Sequence, residues 1–598
     1  MSKMPSPTID PHLLIACQTK FRRFVSSQLL ERRIGLVAEL RDGKTFAEFV
    51  DTLPPNCEAN RLTNVGRILT LVTDAAGAEK LAANCLLSRI QLATSLYGQR
   101  DARRPETSKW KLPRGTLSVP VTASESECLL ATIDFGIPFA HVGLQGSKGT
   151  RIRSLWNQDA SDRFAGLQKS PRVGHYGVAV DRRHLNAAIV ASTSQDSVVN
   201  ERLCYELAGY DVVRKSASHG AKNLGLFVGS HRRACEPPKT TTVPERDVVC
   251  VQLPRETLLN PSNSALARHI LDGLAWILKQ VRKSERTVIV CLPYGSPLGS
   301  HDVSSIIETG IAEIVEAAAM KGISFAVVIS AGNDFNARQH AMIDGVNSYG
   351  RAELLWDVPP CSDSDSWMEI WMPKSVGKYR IDLRSPGGTQ LASSDHDHAA
   401  QECEVVDSGW FAADGARAVL LRVSPTQVWY SGAAAKPGRW RISLSWNVMG
   451  DDPIHAYIGR SIGDANTASF NRQSKFASTG TNRDWCTSTG TLSGYACGKS
   501  VIVAGALEGP ASDRPYLNGS SGPSRNLYRL GPNLSVSCSE FDSPGGLRTF
   551  GNTSGVATRL TGTSAAAAMV SRNFSENGVW LPIPSASPID GRRGVKVD

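Results

Sequence analysis

The sequence predicts an α/β protein built on a doubly wound, mostly parallel sheet, with an inserted β-sandwich domain and a mainly helical N-terminal region. Short apolar runs alternate with helical patterns between residues 121 and 350, which is typical of a parallel sheet covered by helices on both faces. Alternating, aromatic-rich segments follow before the apolar pattern returns. With 598 residues, 41% of them hydrophobic, the chain is long enough for several domains with apolar cores.

Residues 1–120 are predicted to form a separate helical or mixed extension that ends in a linker. Helix-like patterns cover residues 24–40 and 78–96. A passage rich in proline and arginine follows, through Pro105, Pro113 and Pro120. An inhibitory prodomain, a partner-binding module and a packing extension all fit this composition, and the sequence does not decide among them.

Residues 121–350 are predicted to form the first part of the central α/β unit. Leu266, Ile270, Leu274 and Ile277 recur at helical spacing, and a second helical pattern precedes Gly322. The predicted buried strands are residues 129–133, 247–251, 287–292 and 325–330. This order of strands and helices favours parallel strands joined by helical crossovers.

Residues 351–475 are predicted to form the inserted β-sandwich, and residues 476–598 to complete the central unit. Gly and Pro turns separate short alternating strands at residues 367–372, 379–383, 418–423 and 439–446. We interpret their aromatic residues as core residues rather than as a sugar-binding or peptide-binding face. The central unit resumes with a strand at residues 500–506 and ends with a nucleophile helix and a short tail.

Four polar residues stand where these elements begin or end. Asp134 ends an apolar strand, and Asn333 lies just past another strand. His219 lies near the first turn of a predicted helix, and Ser564 follows a small-residue turn into an apolar helix. A serine nucleophile needs a base and a group that orients the base, and acyl transfer needs an amide donor for the developing oxyanion. The four residues therefore predict an acyl-transfer site.

The segments around these residues resemble subtilisin-like (subtilase) serine peptidases. They read Ile-Asp-x-Gly-Ile at Asp134, Ser-His-Gly at His219, Ser-Ala-Gly-Asn at Asn333 and Gly-Thr-Ser-x-Ala-Ala at Ser564. The order Asp, His, Asn, Ser is also that of the family. The resemblance covers roughly residues 125–350 and 480–575. It implies that Ser564 attacks the scissile carbonyl, His219 transfers the proton, Asp134 holds the imidazole, and Asn333 with the Ser564 N–H forms the oxyanion hole.

The resemblance also implies a substrate-binding segment at Pro293, Tyr294 and Gly295. In the family, this segment pairs with the substrate backbone and forms a wall of the main specificity pocket. Pro293 stands where the family commonly has serine, which leaves the preference for the residue before the scissile bond open. The chemistry implied by the family needs no cofactor and no catalytic metal, and no acidic loop predicts a calcium site.

Three departures from the family pattern keep two alternatives open. Ala221 and Lys222 replace a threonine and a histidine, Ala568 replaces a proline, and the tail after Phe574 lacks the pattern of the usual long helices. A catalytically weakened or inactive relative that binds peptides or partners is the first alternative. The second is a scaffold protein in which the β-insertion and the first 120 residues carry the function.

Composition limits the other classes of function. The formal net charge is +10, but the excess is diffuse, so we expect neither nucleic acid nor membrane as a partner. No apolar run is long enough for a membrane span or follows the pattern of a secretory signal, which predicts a cytoplasmic protein. The 13 cysteines are scattered without a Cys-x-x-Cys pair, which favours reduced thiols over a zinc site. The expected partner is a protein or peptide substrate, with the N-terminal region as a candidate for binding a regulatory partner.

Overall fold

The computed structural model describes most of the chain in three units: an N-terminal module, a central sheet and an inserted β unit. The described residues are 6–19, 34–94, 127–159, 176–196, 198–210, 212–213, 217–229, 246–257, 264–344, 350–362, 364–395, 402–427, 434–448, 450–461, 473–478, 484–541, 545–578, 591–592 and 594–596. Residues 24–33 of the first predicted helix and the linker prolines at 105, 113 and 120 lie outside this set.

The N-terminal module contains a five-stranded sheet of order β1-β5-β2-β4-β3. The prediction of a mainly helical region is therefore wrong for its described residues. Every residue of Ile34–Leu40 is buried, and with Glu39 as its one polar residue the segment has no periodicity that separates a strand from a helix. In chain order, the elements are β1 (Thr8–Ile9), α1 (Pro11–Gln18), β2 (Ile34–Leu40), α2 (Phe46–Val50), β3 (Glu58–Arg61), β4 (Ile68–Thr73), α3 (Ala75–Ala82) and β5 (Leu87–Leu92).

The chain then alternates strands and helices to build most of the central sheet. The elements are β6 (Cys128–Asp134), β7 (Gln145–Gly146), β8 (Gly149–Thr150), β9 (Ile152–Asn157), β10 (Val178–Asp181), α4 (Arg182–Ala191), α5 (Glu201–Leu207), α6 (His219–Val228), β11 (Val248–Gln252), α7 (Ser264–Gln280), β12 (Thr287–Leu292), α8 (Ile306–Ala319) and β13 (Ser324–Ser330). Strands β7 and β8 form a small separate hairpin. The strands predicted at 129–133, 247–251, 287–292 and 325–330 are all present.

An antiparallel β unit follows, with two five-stranded sheets of order β14-β22-β16-β20-β19 and β18-β17-β21-β15-β23. Its strands are β14 (His340–Ile343), β15 (Arg351–Val358), β16 (Ser366–Met372), β17 (Tyr379–Arg384), β18 (Gln390–Ser393), β19 (Cys403–Phe411), β20 (Arg417–Val423), β21 (Gly438–Trp446), β22 (Ile454–Ile458) and β23 (Lys475–Phe476). Ile370 and Val419 of one sheet share an apolar core with Ile381 and Trp440 of the other. The first strand begins at His340, upstream of the predicted boundary at residue 351.

The last part of the chain completes the central sheet. Its elements are β24 (Ile502–Leu507), β25 (Leu534–Ser537), β26 (Leu547–Phe550), β27 (Ala557–Leu560), α9 (Thr563–Asn577) and β28 (Val595–Lys596), and β26 pairs with β27 in a hairpin. The nine-stranded order is β10-β9-β11-β6-β12-β13-β24-β25-β28, with only the β9–β10 pair antiparallel.

Helices cover both faces of this sheet. Leu129, Ala131 and Ile133 of β6 belong to the core that includes α7 and α8, whereas Leu130 belongs to the core that includes α6 and α9. The alternation of strand residues between two cores agrees with the doubly wound, mostly parallel sheet predicted from the sequence. The carboxyl ends of the parallel strands consequently meet the starts of α6 and α9 at one edge.

The N-terminal sheet is joined to α7 by a buried polar cluster. The Asp272 carboxylate accepts hydrogen bonds from the Thr70 hydroxyl at 2.6 Å and the Asn60 amide at 3.2 Å, and its other oxygen accepts from the Tyr176 hydroxyl at 3.1 Å. Burial raises the pKa of Asp272 above its ordinary value. Because Val37 also belongs to the core of α7 and α8, the module is packed into the protein rather than tethered to it.

Within the described ranges, no helix combines the length and apolar character that a bilayer span requires. No disulfide joins any two of the described cysteines.

We expect Asp272→Ala to lower the free energy of unfolding by about 2–4 kcal/mol, because the buried donors of Thr70 and Asn60 and the half-buried Tyr176 hydroxyl lose this acceptor. Chemical denaturation of the full chain measures the change. Asp42→Ala is the matched control, because the Asp42 side chain is 93% exposed and forms only a surface ion pair with Arg67, so its removal leaves stability nearly unchanged. Equal losses in both variants would contradict a structural role for the Asp272 cluster.

Candidate active site

Asp134 occupies the carboxyl end of β6, and the loop after it is held by the neighbouring strand. Gln252 pairs with Asp134 in the sheet, and its side-chain oxygen accepts hydrogen bonds from the N–H groups of Gly136 at 2.7 Å and Ile137 at 3.1 Å. Gly136 has φ +85°, and a Cβ there would lie 2.2 Å from the Cβ of Ser218. Position 136, where the loop turns away from the Asp134 carboxylate, therefore requires glycine.

His219 begins α6 directly beside this loop. Ser218 is the N-cap of the helix: its hydroxyl accepts from the Ala221 N–H at 3.1 Å and donates to the Gly136 carbonyl at 2.6 Å. The His219 Nδ1 atom lies 2.8 Å from Asp134 Oδ1, whose side chain is fully buried. With Nδ1–H directed to the carboxylate, Nε2 is the ring atom left to act as a base.

Asn333 connects the exit of β13 to the start of α9. Its Oδ1 accepts from the Thr563 N–H at 3.0 Å and lies 3.1 Å from the Thr563 hydroxyl. The Thr563 N–H needs an acceptor, so the oxygen of the Asn333 amide faces the helix and its nitrogen points away from it. Asn333 is exposed to solvent. The next N–H, that of Ser564, lies in the first turn, where a helix has no internal acceptor. The Asn333 amide N–H, the Ser564 backbone N–H and the positive end of the α9 dipole are suited to binding an oxyanion.

The Ser564 hydroxyl donates to the carbonyl oxygen of Pro293 at 3.2 Å. Within the part of the chain that the structure describes, no hydrogen bond joins it to the His219 ring. Helices α6 and α9, which carry the two residues, pack against each other. The structure thus brings Asp134 and His219 into contact and leaves the Ser564 hydroxyl turned toward the end of β12. Hydrogen bonds of this kind commonly tighten only when substrate is bound.

The Tyr294 side chain is turned toward Asp134. Its hydroxyl donates to Asp134 Oδ1 at 2.9 Å. The substrate-binding role of residues 293–295 stays a prediction. Burial, together with the negative charge of Asp134, raises the pKa of Tyr294 well above its ordinary value. Gly295 packs closely on Ser493, whose hydroxyl oxygen would lie 2.3 Å from a Cβ at position 295.

Asn223 is a site residue that sequence reasoning missed. It follows His219 by one helical turn, is fully buried, and donates from Nδ2 to Asp134 Oδ2 at 3.1 Å. A polar side chain at i+4 from His219, on the same side of the helix, was the available signal. Sequence reasoning also missed Gln252, and the available signal was a polar residue at the end of a buried strand.

No metal site accompanies these residues in the described segments. There, no group of three or more histidine, cysteine, aspartate or glutamate side chains is arranged to hold a metal ion. The chemistry available at the site is proton transfer by His219 and hydrogen-bond donation by backbone and amide N–H groups.

The fold is similar to that of a solved protease. The CspB protease of Clostridium perfringens superposes with a TM-score of 0.53 at 17% sequence identity, and the match covers 75% of this chain and 83% of that chain. The epidermin leader peptide processing serine protease EpiP of Staphylococcus aureus gives a TM-score of 0.25 at 14% identity, over 53% of this chain and 62% of that chain. No protein-family model and no curated protein matches the sequence. The likeness to the CspB protease establishes a shared α/β fold.

We expect Gly562→Ala to destabilise the protein more than Gly578→Ala, although the two glycines flank the same helix. Their backbones are alike, with φ/ψ of 81°/−168° and 85°/159°, and each substitution costs about 1–3 kcal/mol in this glycine-only region. A Cβ at 562 also meets Asn333 Oδ1 at 2.8 Å, whereas one at 578 meets nothing within 4 Å. Chemical denaturation measures the difference, and equal losses would argue against a tight Asn333–helix contact.

Proposed function

We propose that the chain is a subtilisin-like serine endopeptidase that hydrolyses peptide bonds through an acyl-enzyme. The observation that carries the proposal is the 2.8 Å contact between His219 Nδ1 and the buried Asp134 carboxylate, on a helix that packs beside the helix of Ser564. A buried carboxylate that orients a partly exposed imidazole is the arrangement that a serine nucleophile requires. The similarity in fold to a protease supports the same proposal.

In this mechanism, the Ser564 hydroxyl rotates from the Pro293 carbonyl toward His219 Nε2. The ring accepts the proton as the oxygen attacks the scissile carbonyl, and later returns it to the leaving amine. Asp134 keeps the ring in the required tautomer and stabilises its charged form. The Asn333 amide and the Ser564 N–H stabilise the oxyanion.

The proposed substrate is a protein or peptide that pairs in extended form with the backbone of residues 293–295. The side-chain preference of the site stays open. We propose no cofactor, metal, nucleic acid or membrane as a partner. We also propose that the protein is cytoplasmic.

The alternative is a catalytically weakened or inactive relative that binds peptides or partners. One observation favours it: the Ser564 hydroxyl donates to Pro293 rather than to His219. A serine held in that position could not be activated by the imidazole. The two functions differ in whether the hydroxyl can be labelled.

A fluorophosphonate probe distinguishes the two functions. We expect the wild-type protein to be labelled and to hydrolyse casein, and we expect Ser564→Ala and His219→Ala each to lower turnover roughly 10⁴–10⁶-fold. Ser575→Ala is the control, because its hydroxyl lies on the same helix and only donates to the Arg572 carbonyl. A folded wild-type protein that is neither labelled nor active would rule out the enzyme and leave the binding protein.

Asn333→Asp separates the two functions of the Asn333 amide. The carboxylate retains an acceptor for the Thr563 N–H, so we expect stability close to that of the wild type, but it loses the donor to the oxyanion. Turnover should fall by about 10²–10³. Asn336→Asp is the control, because Asn336 donates to the Leu517 carbonyl on the exposed side of the same loop. Wild-type turnover in Asn333→Asp would exclude Asn333 as an oxyanion donor.

We also propose that the N-terminal module restrains the enzyme or binds a regulatory partner. Deleting the module would expose the apolar faces of α7 and α8, so a point substitution is the better test. If the module restrains the site, the Asp272→Ala variant hydrolyses casein faster than the wild type. An unchanged rate in the folded variant would count against restraint.

A further inference from the structure

The Oδ1 atom of Asp134 receives more hydrogen bonds than the Asp–His pair requires. It accepts from the Phe135 N–H at 2.7 Å and the Tyr294 hydroxyl at 2.9 Å, in addition to the 2.8 Å contact with His219. A carboxylate oxygen offers about two lone-pair sites, so three donors must share them. The Tyr294 hydroxyl therefore competes directly with His219 for the same oxygen.

The Tyr294 ring also contacts the imidazole. The ring centroids of Tyr294 and His219 lie 5.1 Å apart at an interplanar angle of 63°, which is an edge-to-face arrangement. One side chain thus holds the carboxylate through its hydroxyl and limits the tilt of the imidazole through its ring. Together, these contacts restrict the direction in which His219 Nε2 points.

The backbone on either side keeps Tyr294 in place. The Pro293 carbonyl receives the Ser564 hydroxyl at 3.2 Å, and Gly295 packs on Ser493. The raised pKa of Tyr294 keeps its hydroxyl protonated near neutral pH, so it remains a donor to Asp134. The end of β12 therefore contacts the nucleophile, the base and the orienting carboxylate through consecutive residues.

We propose that Tyr294 is a positioning residue that sets the strength of the Asp134–His219 hydrogen bond and the orientation of the imidazole. This inference rests on the proposed peptidase function and deepens it. It assigns the Tyr294 side chain to support of the base, and it leaves substrate pairing to the backbone of the same segment.

The test is Tyr294→Phe in the full chain, with two readouts. The low-field NMR signal of the His219 Nδ1–H proton should move further downfield, because Asp134 Oδ1 loses a competing donor. For hydrolysis of a chromogenic peptide, kcat should fall roughly threefold to tenfold with KM unchanged, since orientation rather than substrate binding is lost.

Tyr379→Phe is the matched control. It removes a hydrogen bond of the same type, from the Tyr379 hydroxyl to Asp407 Oδ2 at 2.6 Å, but in the β-insertion. We expect this variant to change neither the His219 signal nor kcat. In the wild-type protein, a nuclear Overhauser effect between the Tyr294 hydroxyl proton and the His219 Nδ1–H tests the contact even if Tyr294→Phe fails to fold.

An unmoved His219 signal in folded Tyr294→Phe, an equal movement in Tyr379→Phe, or a rise in KM without a fall in kcat would each overturn the proposal. Absence of the nuclear Overhauser effect would do the same. If the wild-type protein shows no hydrolysis, the peptidase function fails, while the NMR signal still decides whether Tyr294 positions the pair.

Discussion

The constraint on which the site depends is the burial of the Asp134 carboxylate. An ionised carboxylate removed from water is costly unless donors replace the solvent. Here the donors come from its own loop, from His219 and Asn223 on α6, and from Tyr294 at the end of β12. Satisfying one carboxylate thus requires β6, α6 and β12 to meet at a single point.

A second connection sets the other side of the site. Asn333, at the exit of β13, accepts the Thr563 N–H and so fixes the start of α9 against the sheet. Ser564, the proposed nucleophile, lies one residue further along, where helix N–H groups have no internal acceptor. The Asp134–His219 pair and the contact between Asn333 and α9 are therefore held by separate strand exits at the same carboxyl edge of the sheet, where open α/β sheets commonly carry their sites.

The three units of the chain depend on each other for their cores. Trp367 and Trp371 of the β-insertion belong to the apolar core of the N-terminal module. His301, from the loop that precedes α8, stacks on Tyr457 of β22 at 4.0 Å, and burial lowers the pKa of His301 to about 4, which keeps it neutral near pH 7. Arg89 of the N-terminal module also donates to the Ser304 carbonyl in this loop. The loop that precedes α8 is therefore a junction of all three units.

Local sequence determined the central strands, the strands of the β-insertion, and the positions of Asp134, His219, Asn333 and Ser564 at element ends, because apolar runs and turn residues act over short distances. Only the tertiary structure decided that Ile34–Leu40 is a strand, since its burial on both faces depends on α7, α8 and the β-insertion. It also decided the orientations of Tyr294 and Asn223. Both side chains turn toward a charge contributed by a strand distant in sequence, and no local pattern contains that charge.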